Sequence, residues 1–192
     1  MQTMALMGSH RVGKTTLAKA YAEKHDLDFV SCSVSPAYKA LGIPMGTPTE
    51  FSVRMTIQDT ALTMYTKALN EQVATGRNFI ADRCFLDLVG YTLADFPNNA
   101  SAEESVWLSE YVDKCVTLNQ QYYHSVVLIR PGIPIKEDMT SWSAESGVID
   151  KVDACMLWAA DLTEDAVFKI PKMVIDLDQR IDILEVISES WI

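Results

Sequence analysis

Eight residues near the amino terminus, Gly8-Ser9-His10-Arg11-Val12-Gly13-Lys14-Thr15, fit the spacing GxxxxGK[ST] at every specified position. The apolar run from Thr3 to Gly8 ahead of them reads as a strand, and Thr16-Leu17-Ala18-Lys19-Ala20-Tyr21 behind them opens a helix. Glycines at both ends of such a loop let the backbone curl, so that its N–H groups converge on an anion. The positive end of the helix dipole adds to that attraction. Lys14 is placed to reach the terminal phosphates of a bound ATP or GTP, and the Thr15 hydroxyl to ligate Mg²⁺. Gly8, Ser9, His10, Arg11, Val12, Gly13 and Thr16 complete the cradle. For Arg11 a further phosphate contact and a solvated loop cation both stay open, and no chemistry is assigned to His10.

The rest of the chain alternates short apolar runs with longer helical patterns. Strands are predicted at Thr3 to Gly8, Phe29 to Val34, Asn78 to Asp82, Ser125 to Arg130 and Met173 to Leu177. Helices are predicted at about 14–25, 48–75, 84–95, 102–122, 147–160 and 179–190. Continuous apolar strands separated by helices imply a parallel sheet covered on both faces, an open three-layer α/β/α fold. No repeat or linker divides residues 1–192, so one domain is expected. Ligands of such sheets bind at the carboxyl ends of the strands, here just after Leu6, Ala81, Ile129 and Ile175.

Composition removes several alternatives. The formal charge is −10, from 16 Lys and Arg against 26 Asp and Glu, which argues against a surface made to coat nucleic acid. Cys32, Cys84, Cys115 and Cys155 are far apart with no CxxC spacing, which suits a reducing cytoplasm better than a disulfide framework or a zinc site. No apolar run reaches the roughly 18–20 residues that a membrane span needs.

Two further segments carry chemistry. The strand Phe79-Ile80-Ala81 runs into Asp82 and Arg83, so an acid stands across from the glycine loop. Asp82 can hold magnesium or act as general base, and Arg83 beside it favours the base, because a planar guanidinium grips an acceptor phosphate bidentately. A plain helix N-cap at Asp82 is the structural alternative. Between the two lies a helical stripe of Phe51, Met55, Leu62, Tyr65, Leu69 and Val73, with Gln58 inside it and Arg54 one turn earlier. A nucleobase edge and a phosphate would satisfy Gln58 and Arg54; a backbone bond and a rim ion pair would do so equally. Phe51 and Tyr65 could stack a base or belong to the core. The breaker-rich segment 42–48 precedes this helix as a candidate acceptor-site flap, with Thr47 as cap and Pro48 in the first turn.

Taken together, the glycine loop, the strand ending in Asp82-Arg83 and the helix bearing Arg54 and Gln58 resemble the nucleoside and nucleotide kinase branch of the P-loop fold, such as the thymidylate and deoxynucleoside kinases. The stretch Asp82-Arg83-Cys84-Phe85-Leu86-Asp87-Leu88-Val89-Gly90-Tyr91 is similar to the small AAA-type kinase domains of bacteriophages, in which the Asp-Arg pair is followed by an acid and a tyrosine. The resemblance implies the P-loop NTPase fold with strand order 2-3-1-4-5, transfer of the γ-phosphoryl group of ATP with Mg²⁺, and a cytoplasmic setting, that of the host for a phage protein. It further implies that Lys14 and Thr15 serve the donor, Asp82 acts as base or metal ligand, and Arg83, Arg54 and Gln58 serve the acceptor. Such kinases carry an arginine-bearing lid after the fourth strand, whereas 131–147 here holds only Lys136 as a cation, with Glu137, Asp138 and Glu145 opposing it. Arg130 is therefore the first candidate for the transition-state cation; Lys136, Arg11, Arg180 and a partner chain are the alternatives. Trp142 is a candidate to pack the lid or the adenine.

The function expected from these readings is phosphorylation of a small acceptor, a (deoxy)nucleoside monophosphate or nucleoside. Two other readings stay open: a kinase acting on a modified base or an end of DNA, and a nucleotide-dependent ATPase or switch with a protein partner. The stretch 102–122, with Val106, Trp107, Tyr111, Cys115 and Leu118 on overlapping faces, could pack on the sheet or form the seam of a homodimer.

Overall fold

The computed structural model describes residues 1–134 and 146–189. Twelve elements follow in order: β1 (Thr3–Met7), α1 (Lys14–Lys24), β2 (Asp28–Ser31), α2 (Ser35–Ala40), α3 (Phe51–Ala74), β3 (Phe79–Asp82), α4 (Phe85–Asp95), α5 (Ala102–Tyr122), β4 (Ser125–Ile129), α6 (Ser146–Ala160), β5 (Val167–Ile170) and α7 (Leu177–Glu189). The five strands form one parallel sheet in the order β2-β3-β1-β4-β5. This is the strand order and the three-layer arrangement that the resemblance implied.

Successive strand residues point to opposite faces, and the two halves of the core follow that alternation. Ala5 and Met7 of β1, with Ala81, Val126 and Leu128, join a cluster that reaches α3, α4, α5 and α6. Met4 and Leu6, with Ile80, Val127 and Ile129, join the other, under α1 and α7. Every residue of β1 is therefore buried, which is why its sequence reads as an unbroken apolar run.

The fifth strand departs from expectation. Met173 to Leu177 is not a strand; β5 lies earlier, at Val167–Ile170, paired with β4 alone. An edge strand tolerates the exposed Lys169, so its hydrophobic signal is weak, and Pro171 ends it. The more apolar run after it leaves Met173 80% exposed and Ile175 50% exposed on the rim. The relevant strand end is Ile170, not Ile175.

Smaller differences have local causes. Helix α2 was not expected, being six residues long and opened by Pro36, too short for periodicity to register. Helix α3 starts at Phe51 and not near 48: Thr47 donates its hydroxyl to Pro44 O at 2.8 Å within a turn, and Glu50 is the N-cap. Its buried face is Phe51, Ile57, Ala61, Leu62, Tyr65 and Leu69, which leaves Val73 exposed and Gln58 half-buried at the edge. Cys84, not Asp82, caps α4. On α5, Tyr111 and Cys115 are buried while Val106 is exposed. Among the described residues no helix is long and apolar enough to cross a membrane.

Candidate active site

The chain leaves β1 through Gly8 at φ 145°, passing so close to β4 that a Cβ would stand 2.5 Å from the Ile129 carbonyl oxygen. Only glycine fits there. At the far end Gly13 takes φ 87° as the N-cap of α1, and Lys14 is the first residue of that helix. Lys14 is buried, and its Nζ donates to Gly8 O and Ser9 O at 2.7 Å each. Burial, seconded by the Arg83 charge and opposed by Asp87 and Asp82, brings its pKa down to about 8. No carboxylate of the described residues lies within ion-pair distance of it, so the ammonium is short of compensating charge. The Ser9 hydroxyl is also buried, without a hydrogen-bond partner among the described residues.

The first residue after Lys14 faces the third strand. Thr15 donates its hydroxyl to Asp82 Oδ2, while Asp82 Oδ1 is buried and unpartnered among the described residues. A hydroxyl and a carboxylate, side by side with an acceptor oxygen to spare, form the hard-oxygen donor set that suits Mg²⁺. Among the described residues no group of three or more His, Cys, Asp or Glu side chains could hold a metal.

Arg83 stands at φ 84°, a left-handed conformation uncommon for a side-chain-bearing residue, with its N–H on Leu6 O at 2.9 Å. Its guanidinium lies over the Tyr91 ring, 5.3 Å from the centroid, and 3.8 Å from Asp87 Oδ1. Burial works against that charge, but Tyr91, Asp87 and Tyr65 outweigh it and raise its pKa. Asp87 in turn accepts from Gly8 N at 3.2 Å and from Cys84 N at 3.0 Å. Burial raises the Asp87 pKa, against the pull of Lys14 and Arg83. His10 packs its ring on Tyr91 with centroids 4.7 Å apart; burial, then Arg83, Lys14 and Arg11, lower its pKa to about 4, so the imidazole is neutral at pH 7.

The other candidates are engaged elsewhere. Arg54 is hydrogen-bonded to Asp95, eight residues beyond Asp87 on α4 and thus about 12 Å along the axis. Gln58 accepts from Tyr111 Oη at 3.2 Å. Phe51 is buried, edge-on to Phe96 at 5.1 Å and Trp107 at 5.8 Å; Tyr65 is buried with its hydroxyl on Cys32 O at 2.6 Å. Arg130 is gripped by Asp153 of α6, Nε to Oδ1 at 2.8 Å and Nη2 to Oδ2 at 2.7 Å. Arg180 is 2% exposed and binds Val12 O at 2.6 Å and Val174 O at 2.8 Å, stapling the glycine loop to the segment after β5. Arg11, half-buried, lines a cleft of about 250 Å³ with His10, Gly132, Ile149 and Asp150, while Thr16 is exposed. Lys136, Glu137, Asp138, Trp142 and Glu145 of the expected lid lie outside the described residues.

No protein-family model matches the chain, and no curated protein matches it in sequence. Solved structures do match in shape. Deoxyadenosine kinase from M. mycoides, with products dCMP and a flexible dCDP bound, superposes over 98% of this chain and 100% of its own at TM-score 0.68 and 15% identity. NadR in complex with NR gives TM-score 0.71 at 16% identity, over 96% of this chain and 50% of its own. YorR from Bacillus subtilis, in complex with phosphorylated GDP, gives 0.56 at 14% identity, over 98% and 96%. The chain shares the three-layer α/β/α fold of these structures.

Within this fold, Asp87, Tyr91 and Asp153 make contacts that no single segment of the sequence discloses. Asp87 and Tyr91 were visible as part of a motif, but without a partner. Asp87 and Tyr91, four residues apart, share one face of α4, which opens two residues after Arg83, and that spacing is the signal that could have been read. Asp153 carried no such signal, because its partner comes from a strand 23 residues earlier.

Proposed function

We propose that the chain is an ATP-dependent phosphotransferase that moves the γ-phosphoryl group onto a small nucleotide-like acceptor, most directly a (deoxy)nucleoside monophosphate or a nucleoside. The observation that carries this reading is the Thr15–Asp82 pair beside Lys14, with one Asp82 oxygen buried and unpartnered and Arg83 next in sequence. Lys14 would exchange its two carbonyl partners for phosphate oxygens and recover charge compensation. Thr15 and Asp82 would hold Mg²⁺, which when bound neutralises charge on the donor phosphates. Asp82 has an oxygen left to orient the acceptor and to accept a hydrogen bond from its hydroxyl or from a singly protonated phosphate. Arg83, braced by Asp87, supplies a cation next to the transfer line. Phosphoryl transfer asks mainly for positioning and electrostatic stabilisation, and these are what such a cluster provides.

Likeness to deoxyadenosine kinase, NadR and YorR supports the reaction class at the level of fold, while the acceptor rests on the site chemistry. The test is ADP formation from ATP and Mg²⁺ across a panel of nucleosides and nucleoside monophosphates, with Lys14→Ala as the control. Acceptor-dependent ADP release that Lys14→Ala abolishes is the expected result. ATP binding without stimulation by any member of the panel overturns the small-acceptor reading.

A further inference from the structure

Tyr91 has no part in the reading above, yet its surroundings are built around it. Its ring is clasped between the phosphate loop and the Asp82-Arg83 corner: His10 packs on it at 4.7 Å with planes tilted 44°, and the Arg83 guanidinium lies 5.3 Å from its centroid. One turn earlier on α4, Asp87 holds Gly8 N at 3.2 Å, so the helix is buttoned to the loop at two successive turns. The Tyr91 hydroxyl is buried; the Arg83 guanidinium stands near enough to donate to its oxygen, and Asp87 and Asp82 act on its charge, but its proton finds no acceptor among the described residues. Leaving a buried donor unpaired costs about 1–3 kcal/mol, so the proton is what a phenylalanine here would do without.

We propose that the Tyr91 hydroxyl is a catalytic hydrogen-bond donor to the phosphoryl group in transit between donor and acceptor, its ring held in place by His10 and Arg83. This rests on the phosphotransferase reading, because it takes a phosphate oxygen as the missing partner. Burial pushes the Tyr91 pKa up to about 12, so the phenol keeps its proton at neutral pH and donates without transferring it. An anionic oxygen is the acceptor that gains most from such a donor, and charge spreads over the phosphoryl oxygens during transfer. His10, neutral at pH 7, contributes ring contact and no competing cation.

Tyr91→Phe keeps the ring and removes only the donor. The expected result is a fall in kcat of about 10- to 100-fold, the worth of a hydrogen bond to a charged group, with ADP affinity within about twofold and Tm no lower than wild type. His10→Ala loosens the ring while sparing the hydroxyl, and a smaller fall in kcat is expected. A second readout does not need the acceptor: affinity for ADP with aluminium fluoride, a mimic of the phosphoryl group in flight, weakens at least about tenfold in Tyr91→Phe while ADP alone binds as before. Should both kcat and the fluoride complex stay within about twofold of wild type, Tyr91 is a packing residue only and the inference falls. If wild type turns over no acceptor but its fluoride complex is weakened by Tyr91→Phe, the inference stands and the proposed acceptor class is what fails.

Discussion

Lys14 offers a quantitative test of the phosphate site that does not require knowing the acceptor. Its pKa is about 8 in the folded chain against 10.5 for a free lysine, because burial and Arg83 disfavour the charged form. A folded pKa below the unfolded one means that the unfolded chain binds more protons between these two values, so stability rises with pH across that window. Below pH 8 both states are protonated and the full penalty of about 3 kcal/mol is present; above pH 10.5 it is gone. Between pH 7 and about pH 9.5 the penalty shrinks by about 2 kcal/mol. Other groups titrate in this range: burial also raises the thiols of Cys32, Cys84 and Cys115, which lowers stability as pH rises above 9. Lys14→Met removes the ammonium and leaves those thiols in place. Urea unfolding of both proteins without nucleotide, at a series of pH values, therefore isolates Lys14 in the difference. Wild type should gain about 2 kcal/mol on the variant from pH 7 to about pH 9.5. With ADP bound, phosphate oxygens raise the lysine pKa and the gain should vanish; calorimetry in two buffers at pH 8 should then show uptake of about half a proton on binding. A stability difference that stays flat to within about 0.5 kcal/mol, with no proton uptake, would refute the view of Lys14 as an undercompensated cation waiting for an anion.

Three further outcomes are expected. Asp82→Asn should lower turnover by about 10²- to 10⁴-fold, whether the carboxylate is base or metal ligand, and leave magnesium-free ADP affinity within about twofold, as read by coupled assay and calorimetry. Asp153→Ala should cost about 1–3 kcal/mol in urea unfolding, because Arg130 loses a bidentate partner in a mostly buried setting; pairing Arg130→Met with Asp153→Leu should restore most of it, and a silent single variant would contradict the clamp. Gly132→Ala should lower Tm by on the order of 5 °C, since a Cβ there would sit 1.8 Å from Lys172 O and force the chain after β4 away from the chain after β5.

How well each part could be read depended on how far apart its partners lie. The glycine loop is contiguous, so its residue types and spacing disclose both the turn and the anion site, and Gly8 and Gly13 adopt the positive φ that such a loop needs. Strands β1, β3 and β4 are buried on both faces and therefore read as unbroken apolar runs. The edge strand β5 has one neighbour and an exposed Lys169, and so was displaced onto the more apolar Met173–Leu177 rim. On α3 the helical spacing of the apolar residues includes Gln58, yet the buried position is Ile57; at the edge of a helix face, a rotation of one residue separates core from rim. Charged residues were the least legible. Arg54 and Arg130 looked available, and each is held by an acid from another helix, Asp95 and Asp153.

The chain's linear order determined the phosphate loop, the Asp82-Arg83 strand end and the layered α/β class, because each depends on neighbours within a few residues or on local periodicity. Tertiary structure decided which charges are spent on partners and which are left over. Arg130 is neutralised from α6, whereas Lys14 and Arg180 each hold two carbonyl oxygens and meet no carboxylate among the described residues. The physical reason is that a side chain's electrostatic state is set by groups within a few ångströms in space, and a parallel sheet brings those together from segments more than 70 residues apart, as with Gly8 and Asp87.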